Sequence, residues 1–154
     1  MALLLANIHD YIGKEVAVTD WVAIDQMQVN IFGEITRWAK RGHNDAEWAK
    51  ANSPHGGTLV HGFLMVSLVT HFLELGGLLY KDGKDPLNYG MDKVRILTPV
   101  VVGDGVRLRD RISIMDVQDK DAGRRLIKTS HHIEVEGLER PAAYVEYLNF
   151  WTPR

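Results

Sequence analysis

TLVHGFLMVSLVTHFLEL, residues 58–75, is the stretch on which the fold turns. Its apolar residues, from Leu59 through Met65 and Val69 to Leu73, fall on every side of a 3.6-residue period. A helix that is hydrophobic all round has to be buried. The spacing predicts one long central helix from Thr58 to about Leu79, weakened at its end by Gly76 and Gly77. His61, Ser67, Thr70, His71 and Glu74 interrupt the run, which makes it too polar for a membrane span.

Beyond the helix the chain reads as strands. Residues 88–100, 105–120 and 124–137 alternate or carry β-branched residues, separated by the turn signals VGDG, DAG and Glu136–Gly137. PAAYVEYLNFWTP closes the chain. Ahead of the helix, EVAVTDWVAI (15–24) predicts a strand. Asp25 then caps a helical pattern with Val29, Phe32 and Ile35 on its apolar face. DAEWAKA (45–51) has the start of a short helix. A buried helix followed by an antiparallel meander is an α+β arrangement, with the sheet wrapped round the helix.

The 154 residues suit a single domain, 1–154, and 45% hydrophobic with 25% charged residues is ordinary globular composition. A formal charge of −2 carries no basic excess, so a nucleic-acid partner is not expected. Arg124, Arg125 and Lys128 read as a solvated hairpin flank. With no cysteine, disulfide and thiolate chemistry are excluded. MALLLANIHDYIG lacks the basic start and small-residue cleavage site of a signal peptide. The expectation is a cytoplasmic protein without a membrane partner.

The chemistry-bearing residues gather just before the helix, in TRWAKRGHNDAEWAKANSPHGGTLVHGF (36–63). A loop histidine such as His43 has a pKa suited to general-base work, although an exposed loop histidine is the plain alternative. Gly62, at the helix start, is either a steric choice or a source of a free N–H for an oxyanion. His61 reads as a core or capping histidine, and Thr70 and Ser67 as hydroxyls bonded back to their own helix. His43, His55 and His61 lack the spacing of a zinc site, and His131–His132 in a strand would point to opposite faces, so no metal is expected.

HNDAEWAKANSPHGGTLVHGFLMVSL (43–68) and NYGMDKVRILTPVVVGDGVR (88–107) resemble the MaoC/NodN-like dehydratases, the group of (R)-specific enoyl-CoA hydratases. The resemblance implies a hotdog fold, a curved antiparallel sheet around one long helix, and a homodimer or higher homo-oligomer. It implies a hydro-lyase acting on a small-molecule acyl thioester, with no cofactor, CoA entering only as the acyl carrier. Carried over by motif, the water-activating histidine falls on His43 and the carbonyl-binding N–H on Gly62. Trp38, His61 and Thr70 are the expected pocket residues.

The resemblance fails at two adjacent positions. Five residues before His43, where the family places its catalytic Asp, stands Trp38, and Arg37 replaces the Gly usual before it. Indole has no acid–base function and donates only an N–H. Trp38 is expected to fill the space of the missing water. Glu34, one turn before Trp38, and Asp45, two residues past His43, are the carboxylates that could substitute. The rival reading is a hotdog ligand-binding protein, or a redirected or engineered variant without hydratase activity.

Overall fold

The computed structural model describes residues 3–84 and 86–154. Among these residues the framework is six antiparallel strands: β1 (Glu15–Val18), β2 (Val22–Ile24), β3 (Leu87–Ile96), β4 (Val106–Asp119), β5 (Arg125–Val135) and β6 (Ala143–Trp151). They run β1-β4-β5-β6-β3 across the sheet, with β2 also paired to β4. Alternation decides the inner face. Leu108, Ile112 and Ile114 of β4, Ile127 and Ile133 of β5, and Ala143, Val145 and Tyr147 of β6 are buried in step with the pleat.

The expected strand over 15–24 is two strands. Thr19 turns the chain out between them, its N–H donating to the Asp110 carbonyl and its hydroxyl accepting from the Asp110 N–H. The side chain thus replaces one ladder bond, and β2 rejoins β4 further along, with Val22 opposite Leu108.

Five α-helices among the described residues complete the framework: α1 (Gln26–Ile35), α2 (Arg41–Asn44), α3 (Ala46–Asn52), α4 (Gly62–Ser67) and α5 (Val69–Leu75). Asp25 and Gln28 cap α1 reciprocally, each side chain accepting from the other's backbone N–H at 2.9 Å. The predicted central helix is α4 followed by α5. It begins at Gly62 rather than Thr58, because residues 58–60 are drawn into extended pairing. Val60 N–H donates to the Val100 carbonyl and Val102 N–H to the Thr58 carbonyl. At Leu68 the turn tightens, where one N–H is shared among the carbonyls of Leu64, Met65 and Val66.

Met65, Val66, Val69, Phe72 and Leu73 carry the rod into the concave sheet. Burial is not all round as expected. Phe63, Ser67, Thr70 and Glu74 form an exposed stripe at helical spacing, beside strand β3. That strand is one free edge of the sheet, with Leu87, Tyr89, Met91 and Ile96 turned to solvent. Val29 of α1 is buried as its spacing predicts, whereas Ile35 is 75% exposed.

A 3₁₀ segment, Leu5–Tyr11, lies outside the sequence expectations. The Asp82 carboxylate accepts from the N–H groups of Leu5 (2.7 Å) and Ala6 (2.8 Å), and Leu5 and Ile8 enter the core. No helix among the described residues is long and apolar enough to cross a membrane.

Candidate active site

The site is built on the turn that ends α1. Arg37 N–H donates to the Glu34 carbonyl and Trp38 N–H to the Gly33 carbonyl, the paired bonds of a Schellman motif. Arg37 occupies the left-handed position at φ 57°, where a Cβ is penalised and Gly is the usual residue. The motif turns the chain sharply, so α1 does not continue past Thr36. Glu34 stays on the exposed face, away from the cavity that holds His43.

The single turn of α2 carries His43. Leu59 fastens it from both sides: Leu59 N–H donates to the Gly42 carbonyl at 2.9 Å, and the Leu59 carbonyl faces His43 Nδ1 at 2.8 Å. A carbonyl only accepts, so Nδ1 carries a proton, and in the neutral ring Nε2 is the nitrogen with the free lone pair. Gln26 braces the same turn. Its Nε2 donates to the His43 carbonyl at 2.7 Å, while its Oε1 accepts from the Thr58 hydroxyl at 2.5 Å. Among the described residues His43 Nε2 has no hydrogen-bond partner.

His61, almost wholly buried, immediately precedes α4 and lies against the His43 ring, with centroids 3.9 Å apart and planes 21° from parallel. Phe32 also packs on it, at 5.2 Å. Burial, and then the neighbouring His43, hold the His61 imidazole below its ordinary pKa. Its Nε2 is sealed and unpartnered among the described residues.

Phe32, Thr36, Trp38, His43, His61, Gly62 and Phe63 line a cavity of about 270 Å³. His43 and Gly62 also line a second one of about 250 Å³, together with Leu59, Met65, Ile96 and Thr98. Gly62 sits close to Ile96: a Cβ there would meet that side chain at 3.0 Å, so the Ile96 side chain would have to give by a few tenths of an ångström. Both readings of this residue thus coexist: the N–H groups of Gly62 and Phe63 have no backbone acceptor among the described residues, as expected of the first positions of a helix.

Four of the five expected site residues, His43, Gly62, Trp38 and His61, share one cavity. Thr70 does not. It lies along the exposed stripe and lines a separate groove with Ser67, Asn88, Met91 and Tyr147. Trp38 does not plug the site as expected. It stands at the rim, 57% exposed, with the Lys40 ammonium 4.7 Å from its ring centre. Asp45 caps α3, accepting from Trp48 N–H at 2.9 Å and from Arg41 Nε at 3.0 Å. These bonds hold its carboxyl below the usual range and occupy it structurally. Among the described residues, then, no carboxylate lines the first cavity.

The sequence reading missed a buried polar cluster on the inner face of the sheet. His131 Nδ1 meets Asp110 Oδ2 at 2.5 Å, and His131 Nε2 meets the Thr129 hydroxyl at 2.8 Å, with all three residues fully buried. Burial pushes the Asp110 carboxyl up, and its Oδ1 is unpartnered among the described residues. The signal was legible, for Asp110 falls in phase with Leu108 and Ile112 along β4.

The MaoC like domain profile matches residues 7–136. The chain belongs to the MaoC-like dehydratase family. It is 36% identical over 144 residues to a 3-hydroxyacyl-thioester dehydratase Z from Mycobacterium tuberculosis, covering 94% of this chain and 93% of that one. It is 32% identical over 146 residues to a nodulation protein N from Rhizobium leguminosarum bv. viciae, covering 95% and 89%. The MaoC-like dehydratase structure from Rhodospirillum rubrum superposes with a TM-score of 0.78 at 14% identity, over 99% of each chain. The fold is the hotdog of the MaoC-like family, with α4 and α5 as the enclosed rod.

Proposed function

We propose that this MaoC-like protein hydrates 2-enoyl thioesters, and dehydrates 3-hydroxyacyl thioesters in reverse, without the family carboxylate. The observation that carries the reading is the fixed tautomer of His43. Its Nδ1–H is spent on Leu59, which leaves Nε2 as a base beside a cavity that also meets the helix start at Gly62. In hydration, Nε2 takes a proton from water as the water oxygen bonds to the β-carbon. The electron pair moves through the double bond to the thioester oxygen. The Gly62 N–H and the positive end of the rod stabilise the charge there. The imidazolium then returns a proton to the α-carbon, and His43 is neutral again. Imidazole and amide suffice for these steps, and the carrier of the acyl group takes no part in them. Phe32, Trp38 and Phe63 provide apolar walls for the chain next to the reacting carbons.

A second reading, a binding protein that holds thioesters without turnover, is favoured by the lack of a carboxylate among the residues lining the cavity. A crystal structure with a non-reactive acyl-CoA analogue separates where the ligand goes. The hydratase reading expects the thioester oxygen within hydrogen-bond reach of Gly62 N–H and the β-carbon beside His43 Nε2. An analogue lodged only in the groove at Thr70 and Tyr147 overturns it.

The working unit in this proposal is a cytoplasmic homodimer joined along β3. Ten residues of sheet edge, with Leu87, Tyr89, Met91 and Ile96 exposed, are the surface a second copy would cover.

A further inference from the structure

Helix α1 leaves an apolar stripe on the outside of the molecule. Met27, Ile31 and Ile35 recur every four residues and are all more than half exposed. The stripe spans about 12 Å of helix, and the chain then reaches Trp38, which lines the cavity of His43. Beside it runs ITRWAKR (35–41), with three cations and no acid. Arg37 makes no ion pair among the described residues, Lys40 lies over the Trp38 ring, and Arg41 is paired with Asp45. In a chain of net charge −2 this is a local reversal of sign. Glu34 is the single acid on α1.

We infer that this face docks an acidic acyl-carrier protein that delivers the thioester into the His43 cavity. The inference rests on the proposed thioester chemistry and names the carrier. An acidic amphipathic helix matches both features, its apolar face on Met27, Ile31 and Ile35 and its carboxylates on Arg37, Lys40 and Arg41. A flexible arm from that helix enters beside Trp38. Free CoA would use the cations, but it gives no role to Met27 and Ile31, up to two turns further along the helix. A bilayer pressed on this face would close the cavity mouth with hydrocarbon, and the thioester would have no aqueous entry.

The test uses the whole protein, a purified bacterial acyl carrier protein loaded with crotonate on its phosphopantetheine, and crotonyl-CoA. Met27→Ser and Ile31→Ser lie outside the cavity lining. Each is expected to leave turnover of crotonyl-CoA within about twofold and to lower kcat/KM for the crotonyl carrier by about tenfold or more, the loss of ~1.4 kcal/mol of docking energy. Binding of the loaded carrier, followed by fluorescence anisotropy without turnover, is expected to weaken in both variants and in 0.5 M salt, about as screening dictates. Carrier binding with no turnover of either thioester keeps the docking surface and sinks the hydratase reading. Turnover of crotonyl-CoA with no carrier binding does the reverse. The inference is also overturned if the protein binds anionic vesicles in place of the carrier, or if Met27→Ser changes the oligomeric state in sedimentation.

Discussion

The imidazole rings of His43 and His61 lie face to face, centroids 3.9 Å apart, at the wall of the cavity. Burial first, and His43 second, depress the His61 pKa from its ordinary value of 6.5. The folded state therefore prefers neutral His61, while the unfolded chain takes up a proton near the ordinary value. The stability from this preference is fully present above that value and is lost as pH falls through the folded pKa. Urea midpoints are expected to drop between about pH 7 and pH 5. His61→Phe, which keeps a ring in the stack, is expected to flatten part of that drop. An unchanged slope would show that His61 does not titrate in this window.

Arg37 holds a left-handed conformation that the Schellman turn demands and a side chain penalises. Arg37→Gly is expected to stabilise the fold by about 0.5–1 kcal/mol, the relief of the Cβ clash less the added freedom of Gly in the unfolded chain. Thermal unfolding checks this. A destabilised variant would mean that the guanidinium makes contacts worth more than the strain.

The Asp110–His131 pair is a fully buried couple in the middle of the sheet. Removing one member strands the other's charge or hydrogen-bonding groups, so His131→Leu is expected to cost about 3–5 kcal/mol. Replacing both residues by Leu should cost less than that single change, because neither partner is then left unpaired. A denaturation cycle over the four proteins measures the coupling. Simple additivity would contradict the description of the pair as a unit.

At the β3 edge, Tyr89→Lys with Met91→Lys places two charges where a second copy would pair. Dimer dissociation in sedimentation is expected to become about tenfold or more easier, the effect of losing ~1.4 kcal/mol. Unchanged association would place the interface elsewhere.

The fold was legible in the sequence because its signals were local and periodic. The alternation of β4 to β6 and the density of residues 62–75 each dictate one element. The features that stayed hidden depended on partners far along the chain. The helix starts at Gly62 because residues 58–60 pair with residues 100–102, and the strand over 15–24 divides because Thr19 meets Asp110. Neither pairing is encoded in local spacing. In the site, the motif marked His43 and Gly62, but the Leu59 clamp and the stacking of His61 are tertiary facts. Trp38 misled in the opposite way. Its position suggested a plug, yet the sharp turn at Arg37 carries it to the rim. Ile35 fitted the helical period and is exposed nonetheless, on the outer stripe of α1.

The most direct measurement is the hydration of crotonyl-CoA by this protein, by His43→Ala and by Trp38→Asp. The proposed chemistry predicts measurable turnover by the unaltered chain, and a loss of about 10²–10⁴ in kcat for His43→Ala, the usual contribution of a positioned base. Trp38→Asp, which restores a carboxylate at the rim, should raise the rate. If the unaltered chain is silent and Trp38→Asp alone turns over substrate, the proposal is wrong. Trp38 would then mark a site that binds and does not react.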